Sequence, residues 1–297
     1  MATWSHLIRF QSNNNIYYGD AIFPKGSDPT DVVSIAAAGK LQAHIIEGDG
    51  NPISIISPGV KATGKIAPVE KLLSPIIREQ VPIIRCIGLN YMKHIQEGGR
   101  TPPPYPSLFI KPSTSLASFD AEIPIPKIAQ ETLDYEGELT IVIGRTARDV
   151  TEAESLDYVA GYITGNDLSC RIWQRDPKYA GNVPQWCFSK GFDGFAPVGP
   201  MIVSPKVLAA ADKQSLQTLV NGEVRQDSET SDLLFGVRKI VSFLSQGTTL
   251  ETGTLIMTGT PAGVALGMKV PKYLTDGDEV EVKIGGLGSL KNKLRFM

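Results

Sequence analysis

The sequence predicts a mostly β chain of the α+β class, on three observations. Short apolar runs alternate with Gly, Pro, Asn and Asp clusters from the N-terminus onward; the runs lengthen after residue 83; and one strongly amphipathic helical stretch stands out late in the chain. Residues 7–10, 16–23, 32–37, 41–47 and 53–56 each read as a strand. The turn signals Lys25-Gly-Ser-Asp-Pro29, Gly48-Asp-Gly-Asn-Pro52 and Pro58-Gly59 separate them. Pro68, Pro75 and Pro82 then punctuate a connector. A small β-rich N-terminal domain over 1–70 and a larger domain over 71–297 are therefore expected.

Residues 83–87 have the composition of a buried strand, followed by Gly88 and a helix over 91–96. Gly98 to Pro104 is a flexible, then stiff, loop. Residues 133–143 and 158–164 read as strands. Residues 231–246 carry the helical stripe Leu233, Leu234, Val237, Ile240, Val241 and Leu244, with Thr230 or Ser231 to cap its start and Gly247 its end. Residues 279–284 and 289–294, joined through Gly285, Gly286 and Gly288, form a C-terminal hairpin.

Composition excludes several function classes. The 29 basic and 31 acidic residues nearly cancel to −2, which argues against a nucleic-acid or membrane surface. No apolar stretch approaches a transmembrane span. The N-terminus has neither the basic nor the apolar region of a secretory signal. Cys86, Cys170 and Cys187 are widely spaced and odd in number, which suits a reducing cytoplasm and neither a disulfide framework nor a thiolate zinc site. His6, His44 and His94 form no metal-binding repeat, so any metal site here must be built from oxygen.

Such a site is suggested by Asp134, Glu136 and Glu138. In a strand these alternating carboxylates share one face, while Leu133, Tyr135, Leu139, Ile141 and Ile143 share the other. Like charges about 7 Å apart repel unless water or a cation screens them. A hard divalent cation would resolve the conflict, and so would a solvated edge strand. Directly after the next strand comes Gly165-Asn-Asp-Leu-Ser-Cys-Arg-Ile-Trp-Gln174. A helix starting near Asp167 would align Asp167, Arg171 and Gln174, suited to a metal and an anionic substrate, or simply an N-cap with an ion pair.

Three further stretches carry candidate chemistry. His94 and Glu97 lie one helical turn apart, as an oriented general base requires, although a surface pair would look the same. Lys190, in Phe188-Ser-Lys-Gly-Phe, reads either as a buried cation aimed at a developing oxyanion or as a loop lysine lying over Phe192 and Phe195. Leu255-Ile-Met-Thr-Gly-Thr-Pro-Ala-Gly263 runs from a buried strand into a turn whose amides and hydroxyls could hold a carboxylate. Gly59-Val-Lys-Ala-Thr-Gly-Lys65 imitates a phosphate loop, but Ile66 stands where Ser or Thr is needed and Pro68 interrupts the helix that should follow.

In this order and spacing, from about residue 83 to the C-terminus, these stretches resemble the fumarylacetoacetate hydrolase superfamily, in its longer two-domain form. The resemblance implies a mixed β-sandwich or roll with a few helices. It implies Mg2+ or Mn2+ on Glu136, Glu138 and Asp167, with His94, Glu97 and Lys190 catalytic. Arg171, Gln174 and Thr260 (less so Thr258) would contact substrate, and Phe109-Ile-Lys111-Pro112 matches a family stretch of open role. The implied activity is metal-dependent chemistry on a small 2-oxo or 2,4-dioxo acid: acylpyruvate hydrolysis, oxaloacetate decarboxylation or oxaloacetate tautomerisation. An inactive metal- or ligand-binding protein of the same fold is the alternative. A homodimer is implied as well. Ile172, where relatives usually carry an acid, and Cys170, where a small residue such as alanine is commoner, leave the ligands intact, and the family's substrate preference is not carried over to this chain.

Overall fold

The computed structural model describes residues 3–48, 52–57, 59–60 and 62–297. Strands β1 (His6–Ser12), β2 (Asn15–Ile22), β3 (Gln42–Ile46), β4 (Ala62–Pro68) and β5 (Lys71–Leu73) come first, with helix α1 (Val32–Ala37) between β2 and β3. β6 (Ile84–Gly88), α2 (Met92–Glu97), β7 (Ser107–Lys111), β8 (Leu116–Ser118) and β9 (Glu122–Ile125) follow. Next are β10 (Leu133–Asp134), β11 (Gly137–Ile143), β12 (Val159–Asn166), β13 (Ser169–Cys170), α3 (Arg171–Arg175), α4 (Pro177–Ala180) and α5 (Trp186–Lys190). The chain closes with β14 (Ala196–Val203), α6 (Pro205–Leu208), β15 (Ser215–Val220), β16 (Glu223–Glu229), α7 (Val237–Ser245), β17 (Leu255–Met257), β18 (Glu279–Ile284) and β19 (Gly288–Phe296).

A 12-stranded sheet runs β4-β3-β2-β1-β14-β12-β11-β17-β6-β7, with β5 on β1 and β8 on β14; a 5-stranded sheet runs β16-β15-β18-β19-β9. Both are mixed, because β17 pairs β6, β8 pairs β14 and β9 pairs β19 in parallel. The expected mostly β, α+β architecture is what forms. Between the two sheets lies one core, to which β11 contributes Leu139, Ile141 and Ile143, and the smaller sheet Leu216, Val282, Ile284 and Leu290. The opposite face of β11 and β12 packs Val142 and Ile163 against Cys86, Leu255 and Met257. β11 is therefore covered on both sides, which explains why its lower half reads as a continuous apolar run.

The N-terminal strands enter the large sheet through the antiparallel pairing of β1 with β14. The unit expected over 1–70 thus shares a sheet with the rest of the chain; as a separate domain it stays a proposal.

Four local expectations are corrected. Residues 32–37 form a helix, not a strand, because Asp28 accepts from the Thr30 amide at 2.8 Å and Pro29 opens the turn, leaving Val32 and Ala36 to face the core. Residues 53–56 lie in a 3-10 helix (Pro52–Ile56), with the adjacent Ile55 and Ile56 both buried, which one strand face does not allow. The helix expected over 231–246 begins only at Val237. Leu234 and Phe235 donate their amides to Asn90, at 2.7 and 2.8 Å, and this pairing outcompetes helix extension; Gly236 is the cap, and Gly247 (φ 68) lies just past the end, as expected. Asp167 does not start a helix: residues 169–170 form β13, and α3 begins at Arg171. Parts of two expected turns (49–51 and 58), and Lys61 of the phosphate-loop imitation, lie outside the described residues.

Candidate active site

The acidic strand breaks where its charge is densest. β10 pairs with β13 through Asp134 and Ser169, and the chain resumes as β11 at Gly137. Asp134 leaves the shared face that alternation assigns it. Its carboxylate accepts the amides of Tyr135 (2.9 Å), Ala265 (2.9 Å) and Leu266 (3.1 Å), and Arg171 Nε at 2.8 Å. Asp134 is thus a structural anchor for α3 and the 265–266 turn. Glu136 and Asp167 are brought together by the Asp167 amide, which donates to the Glu136 carbonyl at 2.9 Å. One oxygen each from Glu136, Glu138 and Asp167 lies within 4.8 Å of the others. Their exposures are 7%, 1% and 0%, so the solvated edge-strand alternative is ruled out.

Buried carboxylates demand compensation. Lys190, the last residue of α5, donates to Glu136 (2.8 Å), Asp167 (2.6 Å) and Ser169 Oγ (2.7 Å). It is buried, with Phe109, not Phe192 or Phe195, 5.1 Å beneath its ammonium. Lys111, at the end of β7, reaches Asp167 from the other side at 2.5 Å and also donates to the Phe195 carbonyl at 2.6 Å. Arg171 pairs with Asp134 and, at 2.6 Å, with Glu136. Burial alone would raise the Glu136 carboxyl, but Lys190 and Arg171 outweigh it and hold it at about 2. For Glu138 burial prevails, and the Asp167 and Glu136 charges add to it, pushing its pKa well above the ordinary value. Glu138 accepts the Gly259 amide at 2.7 Å, and no ammonium or guanidinium among the described residues pairs with it. An all-oxygen donor set with one buried carboxylate lacking a counter-charge fits a hard divalent cation.

Beside the triad opens a cavity of about 280 Å³, whose wall includes His94, Glu97, Glu136, Arg171, Gln174, Lys190 and Thr260. Glu138, Asp167 and Lys111 lie outside that wall. The structure brings His94 Nδ1 and Glu97 Oε2 to 3.1 Å on α2, while Glu97 Oε1 accepts the Gly263 amide at 3.0 Å. Gln174 sits within hydrogen-bond reach of Arg171 Nη1 at 3.0 Å, on α3. Thr260 faces the cavity, though its hydroxyl already donates to the Gly137 carbonyl at 3.1 Å; Thr258 donates to Leu139 and takes no part in the wall.

Sequence reasoning missed several members. Lys111 was named in its motif without a role. Gly259 lay within the turn singled out for its amides. Gly267, Arg100, Arg175 and Trp186 also line the cavity, and nothing in their local sequence separates them from ordinary loop or helix-end residues.

Residues 83–295 match the fumarylacetoacetate (FAA) hydrolase C-terminal family. The chain belongs to that family. Caffeoylpyruvate hydrolase of Neonothopanus nambi is 39% identical over 303 residues, covering 99% of this chain and 94% of that one. Oxaloacetate tautomerase YisK of Bacillus subtilis is 34% identical over 75% of this chain and 73% of its own length. Among solved structures, a 2-hydroxyhepta-2,4-diene-1,7-dioate isomerase from Mycobacterium marinum superposes with a TM-score of 0.77 at 32% identity, covering 98% of both chains. This member of the FAA hydrolase family is an enzyme, as its hydrolase, tautomerase and isomerase relatives are. No helix among the described residues is long and apolar enough to cross a membrane.

Proposed function

We propose that this chain hydrolyses the C–C bond of an acylpyruvate, a 2,4-dioxo acid, with Mg2+ or Mn2+ held by Glu136, Glu138 and Asp167. The observation that carries this reading is the buried convergence of those three carboxylates beside a cavity that also holds the His94–Glu97 pair. When bound, such a cation supplies Lewis-acid stabilisation of negative charge developing on a chelating 2-oxo acid.

The chain's own residues supply the rest. Lys190 has three hydrogens committed to Glu136, Asp167 and Ser169, so its first task is to hold two ligand carboxylates in place. Assistance at a substrate oxygen requires release of one of those bonds. With Nδ1 donating to Glu97, His94 keeps Nε2 basic, and the fixed ring takes a proton from water as it attacks the acyl carbonyl. The C–C bond then breaks, its electron pair passing to the pyruvate fragment, which takes up a proton; the products are a carboxylic acid and pyruvate. Thr260 offers a seat for the substrate carboxylate once its hydroxyl releases the Gly137 carbonyl. Gln174 and Arg171 line the cavity as well, although Arg171 is largely committed to Asp134 and Glu136.

A second reading, tautomerisation or decarboxylation of oxaloacetate, draws support from the tautomerase relative in Bacillus subtilis. There His94 would shuttle a proton without activating water. We further propose a homodimer, in which a second copy covers Leu108 and Ile110, exposed on β7 at the edge of the large sheet. A cytoplasmic location agrees with three free cysteines. The reading is tested by following acylpyruvate loss and pyruvate formation before and after chelation. Turnover must vanish with EDTA and return with Mg2+ or Mn2+; full activity after exhaustive chelation would refute it.

A further inference from the structure

Gln226 lies on β16 in the smaller sheet, with 1% of its surface exposed. Its side-chain amide nevertheless ends at the active site, on three polar atoms. Oε1 accepts the Gly137 amide at 2.9 Å, while Nε2 donates to Thr260 Oγ1 at 2.8 Å and to the Pro261 carbonyl at 2.9 Å. These partners fix which way the amide points, because a backbone N–H only donates and a carbonyl only accepts. Both hydrogens of Nε2 are therefore spent, and Oε1 cannot trade places with it. A buried amide is costly unless its hydrogen bonds are made, and here all three go to residues of the site.

Gly137 separates Glu136 from Glu138, at the break between β10 and β11. Three successive amides at this break are bonded by side chains: Tyr135 to Asp134 Oδ1, Glu136 to Asn166 Oδ1 at 3.0 Å, and Gly137 to Gln226. The smaller sheet also closes on the backbone here, since a Cβ at Gly137 would come within 2.2 Å of Thr218 Oγ1 and 3.3 Å of Gln226 Oε1. Gln226 thus sets the peptide on which the spacing of two ligand carboxylates depends. Thr260 is the other end of the link. Its oxygen accepts from Gln226, and its own hydrogen goes to the Gly137 carbonyl at 3.1 Å. The hydroxyl can turn that hydrogen toward an incoming carboxylate while the bond from Gln226 keeps the oxygen in place.

We propose that Gln226 is a positioning residue with two arms: it holds the Gly137 peptide so that Glu136 and Glu138 meet one cation, and it is the pivot on which Thr260 turns to substrate. The Gly137 arm rests on the metal site alone, and the Thr260 arm on the hydrolysis proposed above. Groups that orient metal ligands without touching the metal commonly account for about 10–100-fold in its affinity.

The test compares Gln226→Met, which keeps the length of the side chain and removes all three bonds, with Thr260→Val, which removes only the hydroxyl. Calorimetric titration of chelator-stripped protein should show Mn2+ bound about tenfold or more weakly by Gln226→Met and with wild-type affinity by Thr260→Val. With 2,4-dioxopentanoate at saturating Mn2+, KM should rise in both variants and rise no further in the double variant, because Gln226 reaches the substrate only through Thr260. Melting temperatures confirm that each protein is folded. Should Gln226→Met not fold, Gln226→Glu takes its place. It keeps an oxygen for the Gly137 amide but has at most one hydrogen for Thr260 and Pro261, so it should bind Mn2+ like wild type while its KM rises. Wild-type Mn2+ affinity in folded Gln226→Met, or a KM effect that adds in full to that of Thr260→Val, overturns the positioning role and leaves the proposed hydrolysis standing. Absence of Mn2+ binding by the wild-type chain overturns the proposed function and this inference with it.

Discussion

The backbone amide of Gly259 donates to Glu138 Oε2 at 2.7 Å, and it is the single hydrogen bond this carboxylate receives among the described residues. Burial, with Asp167 and Glu136 close by, raises the Glu138 pKa well above its ordinary value. A raised carboxyl takes up a proton on folding. In the metal-free protein its contribution to stability is therefore present below the ordinary carboxylate range and declines as pH rises through the shifted value. Glu138→Gln keeps the shape and the amide contact while removing the charge. Its melting temperature at pH 8 after chelation should exceed wild type by roughly 2–6 °C, from about 1–3 kcal/mol of relieved desolvation. The same variant should lose the thermal stabilisation that Mg2+ or Mn2+ gives wild type. A lower melting temperature for the chelated variant contradicts this assignment.

Glu136 presents the opposite sign. Its depressed pKa, about 2, stabilises the fold above the ordinary carboxylate range and is lost as pH falls toward that value. Lys190→Met removes the ammonium shared by Glu136 and Asp167 and should cost about 3–5 kcal/mol at neutral pH, because two buried carboxylates lose a partner. Urea titrations should show this penalty shrinking on acidification as Glu136 protonates. A pH-independent penalty would mean that Lys190 acts by packing alone.

Much of this site was legible in the sequence, for reasons that separate local from long-range information. Alternation placed Glu138 on β11 away from the core residues Leu139, Ile141 and Ile143, and Glu136, one residue before that strand, still converges with it. Asp134 could not be sorted from them: its fate depends on Arg171 and on the amides of residues 265 and 266, more than 130 positions downstream. The supposed helix at Asp167 failed because Ser169 and Cys170 pair with Leu133 and Asp134, again a distant partner. The helix at 231–246 was overextended for the same reason, its first turns being drawn off to Asn90. Lys111 was seen in its motif but not in its role, since only the fold sets it under Asp167.

His94→Ala should reduce acylpyruvate hydrolysis by about 10²–10⁴-fold, the usual worth of general-base help. Metal binding should survive, because His94 belongs to α2 and not to the carboxylate cluster. Parallel measurement of oxaloacetate enolisation separates the two functional readings: a step needing no activated water should suffer less. Near wild-type hydrolysis would remove His94 from the mechanism.

Gly267 sits where a Cβ would come within 2.3 Å of the Glu97 carboxyl carbon and 2.6 Å of both its oxygens. Gly267→Ala should therefore displace Glu97 from His94 and the Gly263 amide. Its backbone is not in the left-handed region, so close approach alone is tested. The rate should fall by about tenfold or more through misorientation of the base, with little change in melting temperature. A fully active Gly267→Ala enzyme would show that the His94–Glu97 contact is dispensable.

Calorimetric titration of chelator-stripped protein with Mn2+ probes the oxygen-ligand cluster without depending on any chosen substrate. One ion should bind per chain, with binding abolished in Glu138→Ala and in Asp167→Ala while both variants remain folded. No heat of binding to wild type, or undiminished binding in either variant, would contradict a divalent cation held by Glu136, Glu138 and Asp167.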